Sequence, residues 1–247
     1  MGHRLLRHRS HHASDDDQHF DAWSRRYDRS PAQVFFFGPV HQAVSAALAG
    51  RLAAGRLLDI GAGTGRLLDR LGQGLPGMAL FGLDRSAGML SAAHQARAQL
   101  SLVRGTAEAL PFADESFDVV TTTLSFHHWS DQPKALGEVR RVLRPGGTFA
   151  LADVSSDDLP RWGLVQAVAR SRLARGLPLE ERHRLLQVAG LRVVEERRAF
   201  HRRWVPLTVA ERVPDQTALQ EVTSSNDPPR DRSISTSDAD GSSSRGL

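Results

Sequence analysis

The sequence predicts an α/β fold in which a parallel sheet carries helices on both faces. Three observations predict it. Short apolar runs of strand length alternate with longer stretches of helical period from about residue 56 to residue 200. The first of these runs passes straight into a glycine-rich turn, "LLDIGAGTG", as strands do at the ligand-binding edge of an open α/β sheet. The helical stretches also carry start and stop signals, such as Ser86 before one and Pro145-Gly146 after another.

The elements follow in order. "RLLDI" reads as a buried strand, with a helix from about Thr64. "MALFGLD" is the second strand, and "SAGMLSAAHQARAQL" is a helix with Ser86 as N-cap. "LSLVR" and "FDVVTTT" are the third and fourth strands. In "SDQPKALGEVRRVLRPGG", Ala135, Leu136, Val139, Val142 and Leu143 fall on one helical face until Pro145-Gly146 stops the helix. "TFALADV" is the fifth strand, "PLEERHRLLQVAGL" a helix, "RVVEERRAF" the sixth strand and "HRRWVPLTVAER" the seventh. No internal repeat is visible.

The 247 residues, 40% of them hydrophobic, suit one domain with tails. Residues 1–18 are rich in His, Arg and Asp without periodicity. Residues 214–247 are rich in Ser, Asp, Pro and Gly and nearly lack large apolar side chains. Both ends read as disordered, leaving 19–213 as the domain. His3, His8, His11 and His12 lack a metal-binding spacing and read as part of a solvated tail, so no metal is expected. The absence of cysteine excludes disulfides, thiolate metal sites and a thiol nucleophile. No apolar run approaches the ~20 residues a membrane span needs, and the N-terminus does not read as a secretory signal; the expected location is cytoplasmic. The net charge is only +4. The pI of 10.7 reflects basic residues that are nearly all arginine, Lys134 being the single lysine. That is not the concentrated basic surface of a nucleic-acid binder.

The glycine turn places Gly61, Gly63 and Gly65 at alternate positions after Asp59. Glycine is needed where a Cβ would hold the backbone away from a ligand or forbid the turn's dihedral angles. A dinucleotide fingerprint, G-x-G-x-x-G, would put glycine at position 66, where this chain has Arg66. That register argues against a pyrophosphate seated on the helix N-terminus. Asp84 ends the second strand, nineteen residues beyond Gly65, where a carboxylate can accept from both hydroxyls of a ribose. An NAD-linked oxidoreductase and a non-catalytic nucleotide- or RNA-binding protein remain as alternatives at this point.

Four segments in order, "LLDIGAGTG", "GLDRSAGML", "GTAEALPFADESFDVV" and "VRRVLRPGGTFALADV", resemble the class I S-adenosylmethionine-dependent methyltransferases, in particular the ubiquinone/menaquinone C-methyltransferase branch. They cover roughly Leu57 to Val154. The upstream "FDAWSRRYDRS", with Tyr27, is similar to the segment that closes over the cofactor in that branch. The resemblance implies a Rossmann-like doubly wound sheet of seven strands, mostly parallel with an antiparallel strand 7, in the order 3-2-1-4-5-7-6. It implies S-adenosyl-L-methionine as cofactor and a small-molecule methyl acceptor.

It also implies roles. Asp59 orients the loop and attracts the cofactor's ammonium. Gly61, Ala62, Gly63 and Gly65 form the turn against which the cofactor lies, and Asp84 holds the ribose hydroxyls. Arg85 and Met89 lie near the adenine, and Thr106, Ala107 and Glu108 form the turn that recognises its edge. An aspartate is common where Thr106 stands; a threonine hydroxyl accepts without charge, so its hydrogen bond is weaker. Leu124 and Ser125 border the methionine part. His127 and His128 are the histidines at the centre, and a histidine can take a proton from the acceptor; the competing reading is that one of them caps or packs the loop.

Two further segments bear on the acceptor. Residues 155–178 have helical spacing, with Trp162, Leu164, Val165, Val168 and Leu173 apolar, and serve as a substrate lid in this branch; an ordinary packed helix is the alternative. Residues 19–55 would form capping helices, with Phe35, Phe36 and Phe37 as the other wall. An apolar mouth of that kind suits a small lipophilic or aromatic acceptor, methylated on oxygen, nitrogen or carbon.

Overall fold

The computed structural model describes residues 24, 28–31, 33–51, 53–158, 176–200 and 205–214. The predicted tails, apart from Pro214, and the core of the predicted lid lie outside these residues, as does Tyr27. The chain divides into Met1–Val213 and Pro214–Leu247, and the fold described here is that of the first unit.

The chain order is a π-helical turn (Gln33–Phe37), α1 (Gly38–Leu48), β1 (Ala54–Ile60), α2 (Arg66–Gly74), β2 (Gly77–Asp84), α3 (Ala87–Ala96), β3 (Ser101–Arg104), β4 (Phe117–Thr123), α4 (Gln132–Val142), β5 (Leu143–Ala152), α5 (Leu179–Val188), β6 (Leu191–Phe200) and β7 (Val205–Arg212). The seven strands form one sheet in the order β3-β2-β1-β4-β5-β7-β6. β1 pairs in parallel with β2 and β4, β2 with β3 and β4 with β5. β7 runs antiparallel between β5 and β6, with Ala152 opposite Leu207 and Thr148 opposite Glu211. The architecture is the mixed, mostly parallel sheet expected.

Alternation along the strands builds a core on each face. Leu57 and Val119 face α1 and α2, packing with Val40, Val44, Leu67 and Leu71. Leu58 and Val120 face the other way, onto Leu136, Val139 and Phe149. Adjacent residues of one strand thus serve opposite layers, which is why these strands read as continuous apolar runs.

Two predicted boundaries move. α2 begins at Arg66, not Thr64, because Gly65 lies in the left-handed region at φ 79° and cannot open a right-handed helix. α4 ends at Val142, and Leu143, expected on the helix face, is the buried first residue of β5. Pro145 disfavours helical backbone at the residue before it, and Gly146 turns at φ 75°. Ser86 caps α3 as expected, its Oγ accepting from the Met89 N–H at 3.0 Å.

Candidate functional site

The carboxyl ends of β1, β2, β4 and β5 bring the site residues together. The turn after β1 has three glycines with positive φ, at 76°, 56° and 79° for Gly61, Gly63 and Gly65. Their surroundings differ. A Cβ on Gly61 would sit 2.1 Å from Ser125 Oγ, and one on Gly65 2.5 Å from a Leu100 methyl. A Cβ on Gly63 meets nothing within 4 Å. Gly61 and Gly65 are therefore packed by protein, and Gly63 borders open space.

Four of the turn's N–H groups are already engaged. Those of Gly61 and Ala62 donate to the Leu83 carbonyl at 2.8 and 3.0 Å, that of Gly63 to Asp84 Oδ2 at 2.7 Å and that of Gly65 to the Ala62 carbonyl at 2.9 Å. A phosphate cradle needs such groups pointing at the ligand. Here three of them bind the end of β2 and that of Gly65 closes on the turn's own Ala62 carbonyl, so none of these four is directed at a phosphate. This weighs against the NAD-linked alternative independently of Arg66.

Two carboxylates flank the turn. Asp84 accepts from the Gly63 N–H through one oxygen and from the Ser86 N–H at 2.9 Å through the other. Asp59 is 1% exposed. Burial pushes its carboxyl up to about 7, against the Thr121 hydroxyl that donates at 2.9 Å, and the nearby Asp84 charge raises it further. A buried carboxyl in this state suits a cationic ligand group, which would favour its ionised form.

Beyond β3, Thr106 is exposed and Ala107 buried. The loop is held by α4: Glu138 accepts from the Leu110 N–H at 2.8 Å, and Arg141 donates to the carbonyls of Leu110 and Phe112. Glu108 turns its carboxylate to the Ser130 and Asp131 N–H groups, at 2.6 and 3.2 Å. Its charge fastens two loops, leaving Thr106 as the exposed polar side chain of the implied adenine turn. Met89 is 3% exposed, and Arg85 is half-buried.

After β4 the chain turns at Leu124, a non-glycine residue at φ 52°. Such backbone is strained and persists where surrounding structure fixes it. The turn presses Ser125 against Gly61 and leads into Phe126–His128, a single 3-10 turn. His127 is 6% exposed, and its Nδ1 lies 2.7 Å from Asp153 Oδ1. Its N–H donates to Asp153 Oδ2 at 2.8 Å. Burial alone would raise the Asp153 carboxyl; His127 and Arg182 outweigh it and hold the group below its ordinary value. The His128 ring lies 4.0 Å from that of His127, centre to centre.

The N-terminal segment reaches the turn through Asp28. Its carboxylate accepts from the Thr64 hydroxyl at 2.6 Å and from Arg97 at 3.0 Å. Phe35 is 72% exposed, whereas Phe36 packs on the core and meets Phe37 edge-on. Gln33 is 3% exposed, and neither its Oε1 nor its Nε2 has a hydrogen-bond partner among the described residues. Asp28, Gln33, Asp153 and Arg182 were not legible as site residues. Their partners lie far away in sequence, and no local pattern marks them; only the adjacency of β4 and β5 could have suggested that residues just past both ends meet. Among the described residues no group of three His, Cys, Asp or Glu could hold a metal ion, and no helix is long and apolar enough to cross a membrane.

Residues 58–151 match the family model of the methyltransferase domain. The chain is 36% identical over 129 residues to a demethylmenaquinone methyltransferase of Renibacterium salmoninarum, covering 52% of each protein. It is 40% identical over 121 residues to a ubiquinone/menaquinone biosynthesis C-methyltransferase of Dinoroseobacter shibae, covering 47% of this chain and 48% of that one. The chain thus spans about half the length of these curated relatives. A solved S-adenosylmethionine-dependent methyltransferase from Aquifex aeolicus superimposes with a TM-score of 0.63 over 78% of this chain and 98% of that one, at 18% identity, a likeness of fold.

Proposed function

We propose that this chain, whose residues 58–151 match the methyltransferase-domain family model, is a class I S-adenosylmethionine-dependent enzyme that methylates a small lipophilic or aromatic acceptor. The observation that carries the reading is the glycine turn: four of its N–H groups are engaged by the protein, Gly63 borders open space, and the Asp84 carboxylate stands beside it. Those features fit a nucleoside that carries an amino-acid end in place of a pyrophosphate. Asp84 holds the ribose hydroxyls, Asp59 answers the positive charge at the methionine end, and Met89, Ala107 and Thr106 surround the adenine. When bound, the cofactor supplies a methyl group on a positively charged sulfur.

The protein's part is alignment and exclusion of water, the main help such a transfer needs. Leu124 and Ser125 border the methyl-bearing end. The segment around Asp28, tied to the turn through Thr64, lies at the same edge. The relatives named for menaquinone and ubiquinone biosynthesis make a reduced quinone the first acceptor to try.

The test is calorimetric titration with S-adenosylhomocysteine and, separately, NADH. Binding of the first alone is expected. Asp84→Ala is expected to weaken it by about 1–3 kcal/mol, through loss of charge-assisted hydrogen bonds. Unchanged affinity in that variant would remove the ribose assignment.

A further inference from the structure

We propose that Arg97 is a positioning residue of the glycine turn: together with Asp28 it locks Thr64, so that the seating of residues 28–31 and the shape of the turn form one equilibrium. The proposal rests on the methyltransferase reading above for its ligand and adds to it residues that act through the turn.

The need for a lock begins in the sequence. Three of the five residues from Gly61 to Gly65 are glycine, all with positive φ. Such a stretch has more backbone freedom to lose than any other when a ligand orders it. The first half of the turn is fixed from β2, through the Leu83 carbonyl and Asp84. The second half is fixed from two other places, and both meet at Thr64, which is 1% exposed. Its carbonyl accepts from Arg97 Nη1 at 3.0 Å, and its hydroxyl donates to Asp28 Oδ1 at 2.6 Å. The same Arg97 nitrogen donates to Asp28 Oδ2 at 3.0 Å, which closes a triangle around Thr64.

Arg97 is the residue that ends α3, and its side chain is 13% exposed. Its stem runs beside Gly65, where a Cβ would lie 3.7 Å from Arg97 Cδ. Its Nε is 3.6 Å from Asp69 Oδ2 on α2. Asp28 also meets Arg66, whose Nη1 lies 3.4 Å from its carbonyl oxygen and 3.7 Å from Oδ1. One carboxylate thus answers two arginines and a hydroxyl. Pinning the end of α3 to the turn would require only the Arg97 stem on Gly65 and the bond to the Thr64 carbonyl. Asp28 comes from thirty-six residues before Thr64, and its side chain is 32% exposed. Charge and the hydroxyl, more than packing, seat it there. Thr64 is covalently joined to Gly63, the glycine that borders open space. Whatever displaces Thr64 therefore displaces the part of the turn left free for a ligand. A turn held in shape beforehand binds more tightly, because less order is lost on binding.

The test uses the full chain. Hydrogen exchange of the Gly65 amide, which donates to the Ala62 carbonyl, is followed in the ligand-free protein, and S-adenosylhomocysteine affinity is measured by calorimetry. Arg97→Met keeps an apolar stem beside Gly65 and removes the donors. It is expected to speed Gly65 exchange about 10-fold relative to the amides of β4 and to weaken affinity about 10-fold. Thr64→Val removes the hydroxyl and should weaken affinity about fivefold, whereas Thr64→Ser should stay within about twofold of wild type. Asp28→Ala, about fivefold weaker alone, should bring the combined loss with Arg97→Met to only about 10- to 15-fold, short of the roughly 50-fold product of independent sites. A lower melting temperature in Arg97→Met with unchanged affinity and unchanged Gly65 exchange would mark a purely structural pin and overturn the proposal. So would the full product in the double variant. If Arg97→Met does not fold, the Thr64 pair decides, and wild-type affinity in Thr64→Val overturns the proposal. Failure of S-adenosylhomocysteine to bind the wild type would instead sink the methyltransferase reading, while Gly65 exchange would still decide whether Arg97 holds the turn.

Discussion

Asp59 is the buried carboxyl beside the glycine turn. Its carboxyl ionises near 4 in an unfolded chain and at about 7 in the fold, because burial penalises the anion. Between those values the folded state binds the extra proton, so stability falls as pH rises from about 4 to about 7 and is level above. His41, lowered to about 4 by burial and by Arg66 and Arg70, gives the opposite slope up to about 6.5. The difference between wild type and Asp59→Asn therefore isolates Asp59. The variant is expected to gain stability relative to wild type across that window, on the order of 3 kcal/mol by its upper end, measured by urea melts at a series of pH values. A constant difference from pH 4 to 7 would refute the assignment.

Gly61 and Gly63 look alike in the sequence and differ in space. Gly61→Ala places a methyl on Ser125 and keeps a strained φ, so a clear loss of melting temperature is expected. Adding Ser125→Gly should recover the steric part and leave about 1–2 kcal/mol of backbone strain. Gly63→Val puts its Cβ where no protein atom lies within 4 Å. It should leave a native circular dichroism spectrum, with some strain, and abolish the thermal shift from S-adenosylhomocysteine. That the turn needs glycines was legible; which of them a side chain crowds and which borders open space was not, because the answer depends on Ser125, sixty-four residues away.

At the scale of elements, the strands and helices were legible because each carries its own period and caps. The exceptions are local. Gly65 was taken into a helix that its own dihedral excludes, and Leu143 continued the helical spacing although Pro145 had already ended it. Contacts between elements were not legible, since polar residues such as Asp28 and Thr64 carry no mark of their partner. Asp28 ties the N-terminal segment to the turn through Thr64 and Arg97. Because this carboxylate is partly exposed, the tie is worth about 1 kcal/mol. Asp28→Ala is expected to lower S-adenosylhomocysteine affinity about fivefold, with little change in melting temperature. If affinity holds and stability drops, the tie serves the fold and not closure.

For the whole molecule, the place of β7 between β5 and β6 came from family resemblance and not from periodicity, which orders strands along the chain and not across the sheet. Composition predicts that the residues after 225 add nothing to the packed core. A chain ending there should melt within a degree or two of the full length. A chain ending at Phe200 should fail to fold cooperatively, since β5 and β6 both pair with β7.

The order in which a ribosome delivers these strands has a cost that the finished sheet conceals. β5 emerges well before the strand that will cover its flank, and β6 emerges with no neighbour to receive it, because its sole pairing in the sheet is with β7. Until Arg212 clears the exit tunnel and reaches the Leu143 carbonyl and Glu115, the nascent domain presents a bare apolar edge. The charges along β6, Arg192, Glu195, Glu196, Arg197 and Arg198, are suited to that interval. Charge of that kind makes an edge strand a poor template for pairing with another chain.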